Sequence, residues 1–378
     1  MNWQNTTPWL RALFTQPIDW GVLEAVFPEA AAMRSCPQDP VFHAEGNVWT
    51  HTRMVTECLL EDEGFHAMPE EHRQVMLLAA LLHDVGKPYT TETVWDAVLG
   101  RDRISQPGHA RLGARMAWSL LWEAGVPLAV RQRVYWLIAW HQRPFHLLGD
   151  GGMMRKAVSF SLIGDWRELL MLANADNRGR ISANGSETAE TLELLRLWLE
   201  EEGLDRQPWP FANDESRMQY LEKPDRSLHY TAPPATGSKV VMLCGLPGSG
   251  KDTYARKALP DWQQVSLDDV RSDLGIDATG NQGAVIQEVQ ERARVFLRRK
   301  QPFIWNATNL TASLREKVIR LLRSYEAHVV IHTLDRSIVD ILRQNASRPA
   351  VVPEAVVRRM IRKYEPPSVL EAHEVLWV

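Results

Sequence analysis

Two separate groups of residues in this chain have the types and spacing that phosphate chemistry requires. The first group is an ordered series of imidazoles and carboxylates: His51, His83, Asp84, His109, His141 and Asp176. These side chains are the usual ligands of borderline and hard divalent ions. His83 and Asp84 close an apolar predicted helix, and the other four lie on or near four further predicted helices. The sequence therefore predicts that the polar ends of several helices meet at one metal centre.

Lys87 follows the His83–Asp84 pair by one helical turn, where its ammonium would neutralise a substrate phosphate, and it is predicted to be catalytic. Any one histidine of the series is as readily explained by a structural hydrogen bond, whereas the ordered set favours a metal site. Four other histidines lie outside the series and are predicted to be structural: His43, His66, His72 and His146.

The second group is a glycine-rich loop that follows an apolar strand and opens a helix, Gly245-Leu-Pro-Gly-Ser-Gly-Lys-Asp-Thr253. Backbone N–H groups of such a loop surround a phosphate, and the helix N-terminus adds a favourable potential. ATP or another NTP, with Mg²⁺, is the predicted cofactor. Its predicted contacts are Gly245, Gly248, Ser249, Gly250, Lys251, Asp252 and Thr253. Asp252 stands where Ser or Thr is usual, and it either ligates Mg²⁺, directly or through water, or caps the helix.

Further polar residues follow the later predicted strands. Asp268 is placed to accept the proton of an attacking hydroxyl, and Arg271 to clamp a substrate phosphate. Thr308 and Asn309 end the third strand and are predicted to bind substrate. Arg348 lies in a basic segment that is predicted to close over the nucleotide and to stabilise phosphoryl transfer.

The pattern of apolar residues predicts a multidomain chain: an all-α domain over 1–202, a Pro-rich packed connector over 203–238, and an α/β domain with a parallel sheet over 239–378. Helices are predicted at 73–85, 110–124, 129–140, 166–175, 188–201, 283–300, 312–325, 336–346 and 353–364. Strands are predicted at 239–244, 264–267, 303–305 and 329–333.

The composition indicates which cellular compartment and which class of ligand to expect. Among 378 residues there are 3 unclustered cysteines, which favours neither a disulfide framework nor a thiolate zinc site. Neither a bilayer-length apolar run nor a signal peptide is recognisable, so a cytoplasmic protein without membrane contact is expected. Residues 239–378 contain 21 Lys and Arg against 16 Asp and Glu, a balance that suits polyanionic ligands as well as an ordinary solvated surface.

The first group has the residue order of the HD phosphohydrolase superfamily, and the stretch 36–52 resembles the HD domain appended to bacterial tRNA nucleotidyltransferases. That resemblance implies one metal held by His51, His83, Asp84 and Asp176. It also implies that Asp84 bridges to a second metal held by His109 and His141. One or two divalent ions (Mn, Co, Ni, Mg or Fe) would follow.

Residues 239–364 resemble the phage-type 5′-hydroxyl polynucleotide kinase. The resemblance implies Asp268 as general base, Arg271 as the clamp on the acceptor's 3′-phosphate, and Arg348 as the group that stabilises the transition state. The order of the two halves resembles the bacterial end-healing enzymes called HD-Pnk. It implies removal of 2′-phosphate or 2′,3′-cyclic phosphate ends and phosphorylation of 5′-hydroxyl ends of RNA or DNA, with a functional link to an RNA ligase.

Two other functions fit the same residues. One is a nucleotide-pool enzyme with HD nucleotidase and nucleoside or nucleotide kinase activities. The other is a regulatory NTP-binding module whose HD domain senses nucleotides, which is disfavoured because both residue groups look catalytically complete.

Overall fold

A computed structural model describes residues 3–277, 280–348 and 350–378. The chain divides into two compact units, Met1–Trp209 and Pro210–Val378. Among the described residues, no helix combines the length and the apolar character needed to cross a bilayer.

The first unit is predominantly helical. Its helices are α1 (Pro8–Phe14), α2 (Trp20–Val26), α3 (Ala30–Arg34), α4 (Val48–Leu60), α5 (Glu63–Ala67), α6 (Glu70–Leu82), α7 (His109–Glu123), α8 (Leu128–Trp140), α9 (Met153–Ser161), α10 (Trp166–Arg178) and α11 (Gly185–Glu201). Helix α6 packs against α4, α8 and α10, and its residues from Val75 to Leu82 are all buried. A helix that is apolar on every side belongs at the centre of a bundle.

A β-hairpin interrupts the helices between α6 and α7. Strands β1 (Glu92–Asp96) and β2 (Arg101–Ser105) pair antiparallel, a feature that the sequence pattern did not predict. Asp39 ties the hairpin to the rest of the unit, because its carboxylate accepts two hydrogen bonds from Arg101, at 2.7 and 2.9 Å. Single 3₁₀ turns lie at Trp3–Asn5, Lys87–Tyr89 and Pro144–His146.

The second unit contains a five-stranded parallel sheet in the order β4-β5-β3-β6-β7, which confirms the predicted α/β class. Its strands are β3 (Lys239–Cys244), β4 (Gln263–Ser266), β5 (Phe303–Asn306), β6 (His328–Thr333) and β7 (Glu374–Trp377). Its helices are α12 (Asp214–Glu222), α13 (Lys251–Ala258), α14 (Leu267–Leu274), α15 (Gln282–Arg298), α16 (Ala312–Arg323), α17 (Ile338–Ala346) and α18 (Glu354–Lys363). Edge strand β7 was not predicted.

Residues 210–238, most of the predicted connector, group with the second unit. Helix α12 lies in this segment, and its Glu215 accepts hydrogen bonds from Arg323 and lies 2.8 Å from His373. Arg217 donates to the carbonyls of Ala372 and His373. This segment is therefore packed through buried polar contacts, and the boundaries at 202 and 238 stay a prediction.

Candidate functional site

The first unit brings the six predicted metal ligands to one place. Four of them stand at or near helix ends: His83 after α6, His141 after α8, His109 at the start of α7, and Asp176 near the end of α10. His51 comes from the first turn of α4. Because α6 packs against α4, α8 and α10, these positions converge, and all six side chains but that of His109 are fully buried.

Asp84 lies between two groups of histidines. Its Oδ2 is 3.2 Å from Nε2 of His83 and 3.6 Å from Nε2 of His51. Its Oδ1 is 3.4 Å from Nε2 of His109 and 3.7 Å from Nε2 of His141. The two carboxylate oxygens therefore face different histidine pairs, which is the geometry that a bridging carboxylate needs.

Hydrogen bonds to the backbone fix the orientation of three of the imidazoles. Each donates Nδ1–H to the carbonyl three residues earlier in the chain, at 2.7–2.8 Å: His83, His109 and His141. A bond of this kind leaves Nε2 as the lone-pair atom, and it points toward Asp84. Burial lowers the pKa of His141 to about 3, so this ring is neutral at ordinary pH, as a ligand must be.

The donor atoms fit divalent cations. Nε2 of His83 and Oδ1 of Asp84 are buried and have no hydrogen-bond partner among the described residues, whereas Oδ2 of Asp84 is paired with Lys87. Buried polar atoms are rarely left in this state unless an ion or water satisfies them. Two groups that share Asp84 are close enough to hold an ion: His51 with His83, and His109 with His141.

Asp176 takes part differently. Its Oδ1 lies 3.1 Å from Nε2 of His51 and accepts a 2.8 Å hydrogen bond from Arg180, a residue that the sequence did not single out. Burial opposes protonation of His51, but hydrogen bonds to Asp176 and Glu45 outweigh it and raise the pKa of this histidine. A ligand role for Asp176 stays a prediction.

Lys87 is buried beside the cluster. Its Nζ lies 2.6 Å from Oδ2 of Asp84 and donates to Oε1 of Gln38 at 2.7 Å. The ammonium therefore stands where it can neutralise either Asp84 or an incoming phosphate. Gln38, which holds it there, was not predicted.

Glu45 is the clearest functional candidate that the sequence patterns missed. Its Oε1 lies 3.0 Å from Nδ1 of His51 and 2.7 Å from Nδ1 of His43, and its Oε2 accepts from the N–H of Ile181 at 2.9 Å. A carboxylate behind a metal-ligating histidine fixes the ring and raises its basicity. The signal available in the sequence was only its position between His43 and His51.

The second unit contains the glycine-rich loop, which joins β3 to α13. Gly248 and Gly250 have φ of 82° and 92°, a region that favours glycine. A Cβ on Gly248 would lie 2.6 Å from the carbonyl oxygen of Ile341, so the loop packs directly on α17. Lys251 donates from Nζ to the carbonyls of Gly245 and Leu246, at 2.9 and 3.0 Å. Burial lowers the pKa of Lys251 to about 8.

The two positions after Lys251 differ in their surroundings. Both are exposed, but Asp252 accepts a 2.7 Å hydrogen bond from Nδ2 of Asn306, at the end of β5. Ser249 is buried, and its hydroxyl has no partner among the residues described. Whether Asp252 or Thr253 contacts the Mg²⁺ of a nucleotide stays a prediction.

A cleft of ≈ 470 Å³ borders the loop, and Asp252 and Asp268 both line it. Asp268 is exposed, and its carboxylate lies 2.5 Å from Nη1 of Arg271. Nε of Arg271 also donates to Gln282 at 3.0 Å. The predicted base therefore lines this cleft, and the predicted clamp is its neighbour.

The three remaining predicted residues of this domain, Thr308, Asn309 and Arg348, differ in how they are placed relative to the glycine-rich loop. The Thr308 carbonyl accepts from the N–H of Gly245, so this residue borders the loop. Asn309 is buried with φ 48°, and its Nδ2 donates to the Leu243 carbonyl at 2.6 Å, so the substrate contact expected of it stays a prediction. Arg348 follows α17, and its charge adds to the effect of burial in lowering the pKa of Lys251. It therefore lies within electrostatic reach of Lys251.

Both halves match known protein families. Residues 48–165 match the HD domain family, and residues 240–367 match the AAA domain family. Residues 48–165 thus form an HD domain, and residues 240–367, which follow it in the chain, form a P-loop, kinase-like AAA domain. This order confirms the expected pairing of a phosphohydrolase-type domain with a kinase-type domain, and the P-loop domain contains Lys251, Asp268 and Arg348.

Curated relatives cover parts of the chain. A multifunctional CCA protein from Psychromonas ingrahamii is 26% identical over 193 residues, which are 47% of this chain and 42% of that protein. A CC-adding tRNA nucleotidyltransferase from Thermus thermophilus is 36% identical over 121 residues, 32% of this chain and 25% of that protein. The chain thus spans less than half the length of either relative.

The solved structures that resemble parts of this chain share lower sequence identity with it than the curated relatives do. A chain of the Pnkp1/Rnl/Hen1 RNA repair complex shares 18% identity with a TM-score of 0.31, covering 36% of this chain and 46% of that one. A gluconokinase from Sinorhizobium meliloti shares 16% identity with a TM-score of 0.28, covering 39% and 83%. Similarity at these TM-scores carries no inference about activity.

Proposed function

We propose that this chain repairs broken RNA ends by two reactions. The HD domain removes a 2′-phosphate or opens and removes a 2′,3′-cyclic phosphate, and the P-loop domain phosphorylates a 5′-hydroxyl with ATP or another NTP. The observation that carries the proposal is the presence, on one chain, of a buried cluster centred on Asp84 and a phosphate loop beside Asp268. Each reaction removes one obstacle to ligation, and a functional link to an RNA ligase would follow.

In the HD domain the chain would hold divalent ions through the histidine groups on the two sides of Asp84. Bound divalent ions, whether Mn, Co, Ni, Mg or Fe, would supply an activated water and stabilise negative charge on phosphorus. Lys87 would neutralise a phosphoryl oxygen, since its ammonium already lies 2.6 Å from Asp84. Gln38 and Glu45 would hold Lys87 and His51 in place.

In the P-loop domain Lys251 would neutralise the β- and γ-phosphates within the loop. Asp268 lines the adjoining cleft and would accept the proton of the attacking 5′-hydroxyl. Arg271 lies beside Asp268 and would contact the acceptor's 3′-phosphate. Arg348 would stabilise the charge that develops during transfer, because its guanidinium lies within electrostatic reach of Lys251.

RNA is the proposed substrate for two reasons. The relatives are named as a multifunctional CCA protein and a CC-adding tRNA nucleotidyltransferase, and the second of these names specifies tRNA. In addition, residues 239–378 contain 21 basic against 16 acidic residues, which favours a polyanionic partner.

The test is one RNA that has a 5′-hydroxyl and a 2′,3′-cyclic phosphate, incubated with ATP, Mg²⁺ and a transition metal. Both ends should change. Asp268→Asn keeps the shape of the side chain but removes the base, and should slow 5′ phosphorylation by about 10²-fold or more while end dephosphorylation continues. Failure of the parent protein to alter either end would refute the proposal.

The alternative is a nucleotide-pool enzyme, and the cleft supports it to the extent that ≈ 470 Å³ suits a single nucleotide. A competition assay separates the two functions. If an unlabelled nucleoside monophosphate displaces a 5′-hydroxyl oligonucleotide at equal concentration, the small molecule is the preferred acceptor.

A further inference from the structure

The cleft beside Asp268 extends along α13 to an aromatic side chain that has no role in the chemistry above. Besides Asp252 and Asp268, its lining includes Arg256, which follows Asp252 by one helical turn, and Trp262, which follows the helix. Residues four apart lie on one face of a helix and about 6 Å apart along its axis. Asp252 and Arg256 therefore mark successive positions along the cleft, leading away from the phosphate loop.

Arg256 is an exposed cation at the outer part of the cleft. Its guanidinium forms no ion pair within the ranges that the structure describes, whereas that of Arg271 is paired with Asp268. Toward the loop the cleft is lined by carboxylates, those of Asp252, Asp268 and Asp269. Arg256 is the cation of this lining, and it would attract a phosphodiester that lies beyond the 3′-phosphate at Arg271.

Trp262 is fixed on one side and open on the other. It packs against the buried cluster that contains Ala255 and Ile304, and it is only partly buried while lining the cleft. An indole held in this way loses little conformational entropy when a flat ligand stacks on it. Aromatic faces of this kind are the usual platforms for bases of single-stranded nucleic acids.

We propose that Trp262 and Arg256 bind the acceptor strand beyond its 5′-terminal nucleotide. A base stacks on the indole of Trp262, and the adjoining phosphodiester pairs with Arg256. This inference rests on the proposed kinase function and deepens it, since it makes a polynucleotide the preferred acceptor over a mononucleotide. The two side chains set specificity and binding, while Asp268 and Lys251 perform the transfer.

The test compares two acceptors in the full chain: a 5′-hydroxyl RNA hexamer and a nucleoside 3′-monophosphate. Trp262→Leu keeps apolar packing but removes the aromatic face, and Arg256→Gln removes the charge. Each should raise KM for the hexamer about tenfold, which corresponds to the loss of one stacked base or one charged contact, and leave kcat unchanged. KM for the mononucleotide should not change.

Two further variants sharpen this test. Trp262→Phe keeps an aromatic face and should recover most of the affinity, which a purely structural role would not require. Lys257→Gln makes the same charge change on the neighbouring exposed residue, which does not line the cleft, and KM should match that of the parent.

The outcomes separate the inference from the proposed function. If the parent phosphorylates the hexamer but Trp262→Leu and Arg256→Gln leave its KM unchanged, or raise KM equally for both acceptors, the inference is wrong and the kinase function stands. If the parent phosphorylates no 5′-hydroxyl RNA, the kinase function is wrong and the inference fails with it.

Discussion

At the level of single residues, Asp84 faces both histidine groups of the HD domain through different oxygens. We therefore expect Asp84→Ala to lose the bound divalent metal entirely and to abolish phosphate release from RNA ends. His141→Ala removes a ligand from only one group and should lower the metal content by about half if two ions bind. Metal content by mass spectrometry and phosphate release would be measured on the same preparations.

The control for these variants is His146→Ala, which removes an exposed histidine outside the cluster and should change neither metal content nor activity. All three variants should keep 5′-kinase activity, because Lys251 and Asp268 belong to the other domain. An Asp84→Ala protein that keeps its metal and dephosphorylates RNA as fast as the parent would show that the histidines are structural.

Lys251 gives the kinase a predictable dependence on pH. Burial lowers its pKa to about 8, so the free protein loses this charge as the pH rises through 8. Bound triphosphate favours the ammonium and raises its pKa, so binding takes up a proton above that pH. We expect the Kd for ATP to be constant below about pH 7 and to rise by up to about tenfold per pH unit above 8.

Isothermal titration in buffers of different ionisation enthalpy would measure both the Kd and the proton uptake. Lys251→Arg provides the control, because a guanidinium stays charged throughout this range and should give a flat profile. A flat profile for the parent as well would mean that Lys251 is fully protonated in the free loop up to at least pH 9.

At the level of secondary structure elements, the phosphate loop depends on its contact with α17. Gly248→Ala would place a Cβ 2.6 Å from the Ile341 carbonyl at a φ of 82°, and neither backbone can move without disturbing the loop or the helix. We expect a loss of about 1–3 kcal/mol in the free energy of unfolding of the second unit. ATP affinity should also fall, because Lys251 and Arg348 lie on the displaced elements.

Thermal unfolding and ATP binding together check this expectation. Gly275→Ala is a useful comparison, since Gly275 also has a positive φ, 62°, but a Cβ there would meet nothing within 4 Å. Gly275→Ala should lower the free energy of unfolding but leave ATP affinity unchanged. If Gly248→Ala binds ATP as the parent does, the packing of the loop on α17 is not needed for nucleotide binding.

The sequence predicted the elements that are stabilised by burial of their own apolar residues. It did not predict an element that is held by a contact distant in sequence. Strand β3 and helix α6 are buried apolar runs, so their composition alone predicts that they are core elements. Neither strand of the β1–β2 hairpin contains a buried residue, and the hairpin is tied to the unit by the ion pair between Asp39 and Arg101, 62 residues apart in sequence. No local pattern encodes such a contact, and the hairpin was missed.

The same distinction applies to the candidate sites. The metal-ligand series was readable because imidazoles and carboxylates recur on successive helices, and the structure brings them together. Glu45 was missed because it precedes α4 in an irregular segment and acts through His51. Asn309 was predicted to bind substrate from its place after β5; its amide nitrogen bonds to the Leu243 carbonyl, a contact that a strand-end position does not reveal, and the substrate role stays a prediction.

At the level of the whole chain, we expect the two units to be separable. The stability of the second unit should depend on where the chain is divided. Residues 210–238 supply α12, whose Glu215 pairs with Arg323 and His373, both largely buried. We expect residues 210–378 to fold cooperatively and to keep 5′-kinase activity. A fragment of residues 239–378 leaves Arg323 and His373 without this carboxylate, and loss of one partner of a buried pair costs about 3–5 kcal/mol.

Thermal unfolding of the two fragments, with 5′-kinase assays on each, would test this division. Glu215→Gln in the longer fragment removes the charge of Glu215 but keeps the rest of α12. This variant should show part of the difference in melting temperature between the 210–378 and 239–378 fragments. Equal melting temperatures for 210–378 and 239–378 would show that α12 is a passive connector. A folded but inactive longer fragment would instead place part of the RNA-binding surface on the HD domain, because Lys251, Asp268 and Arg348 would all still be present.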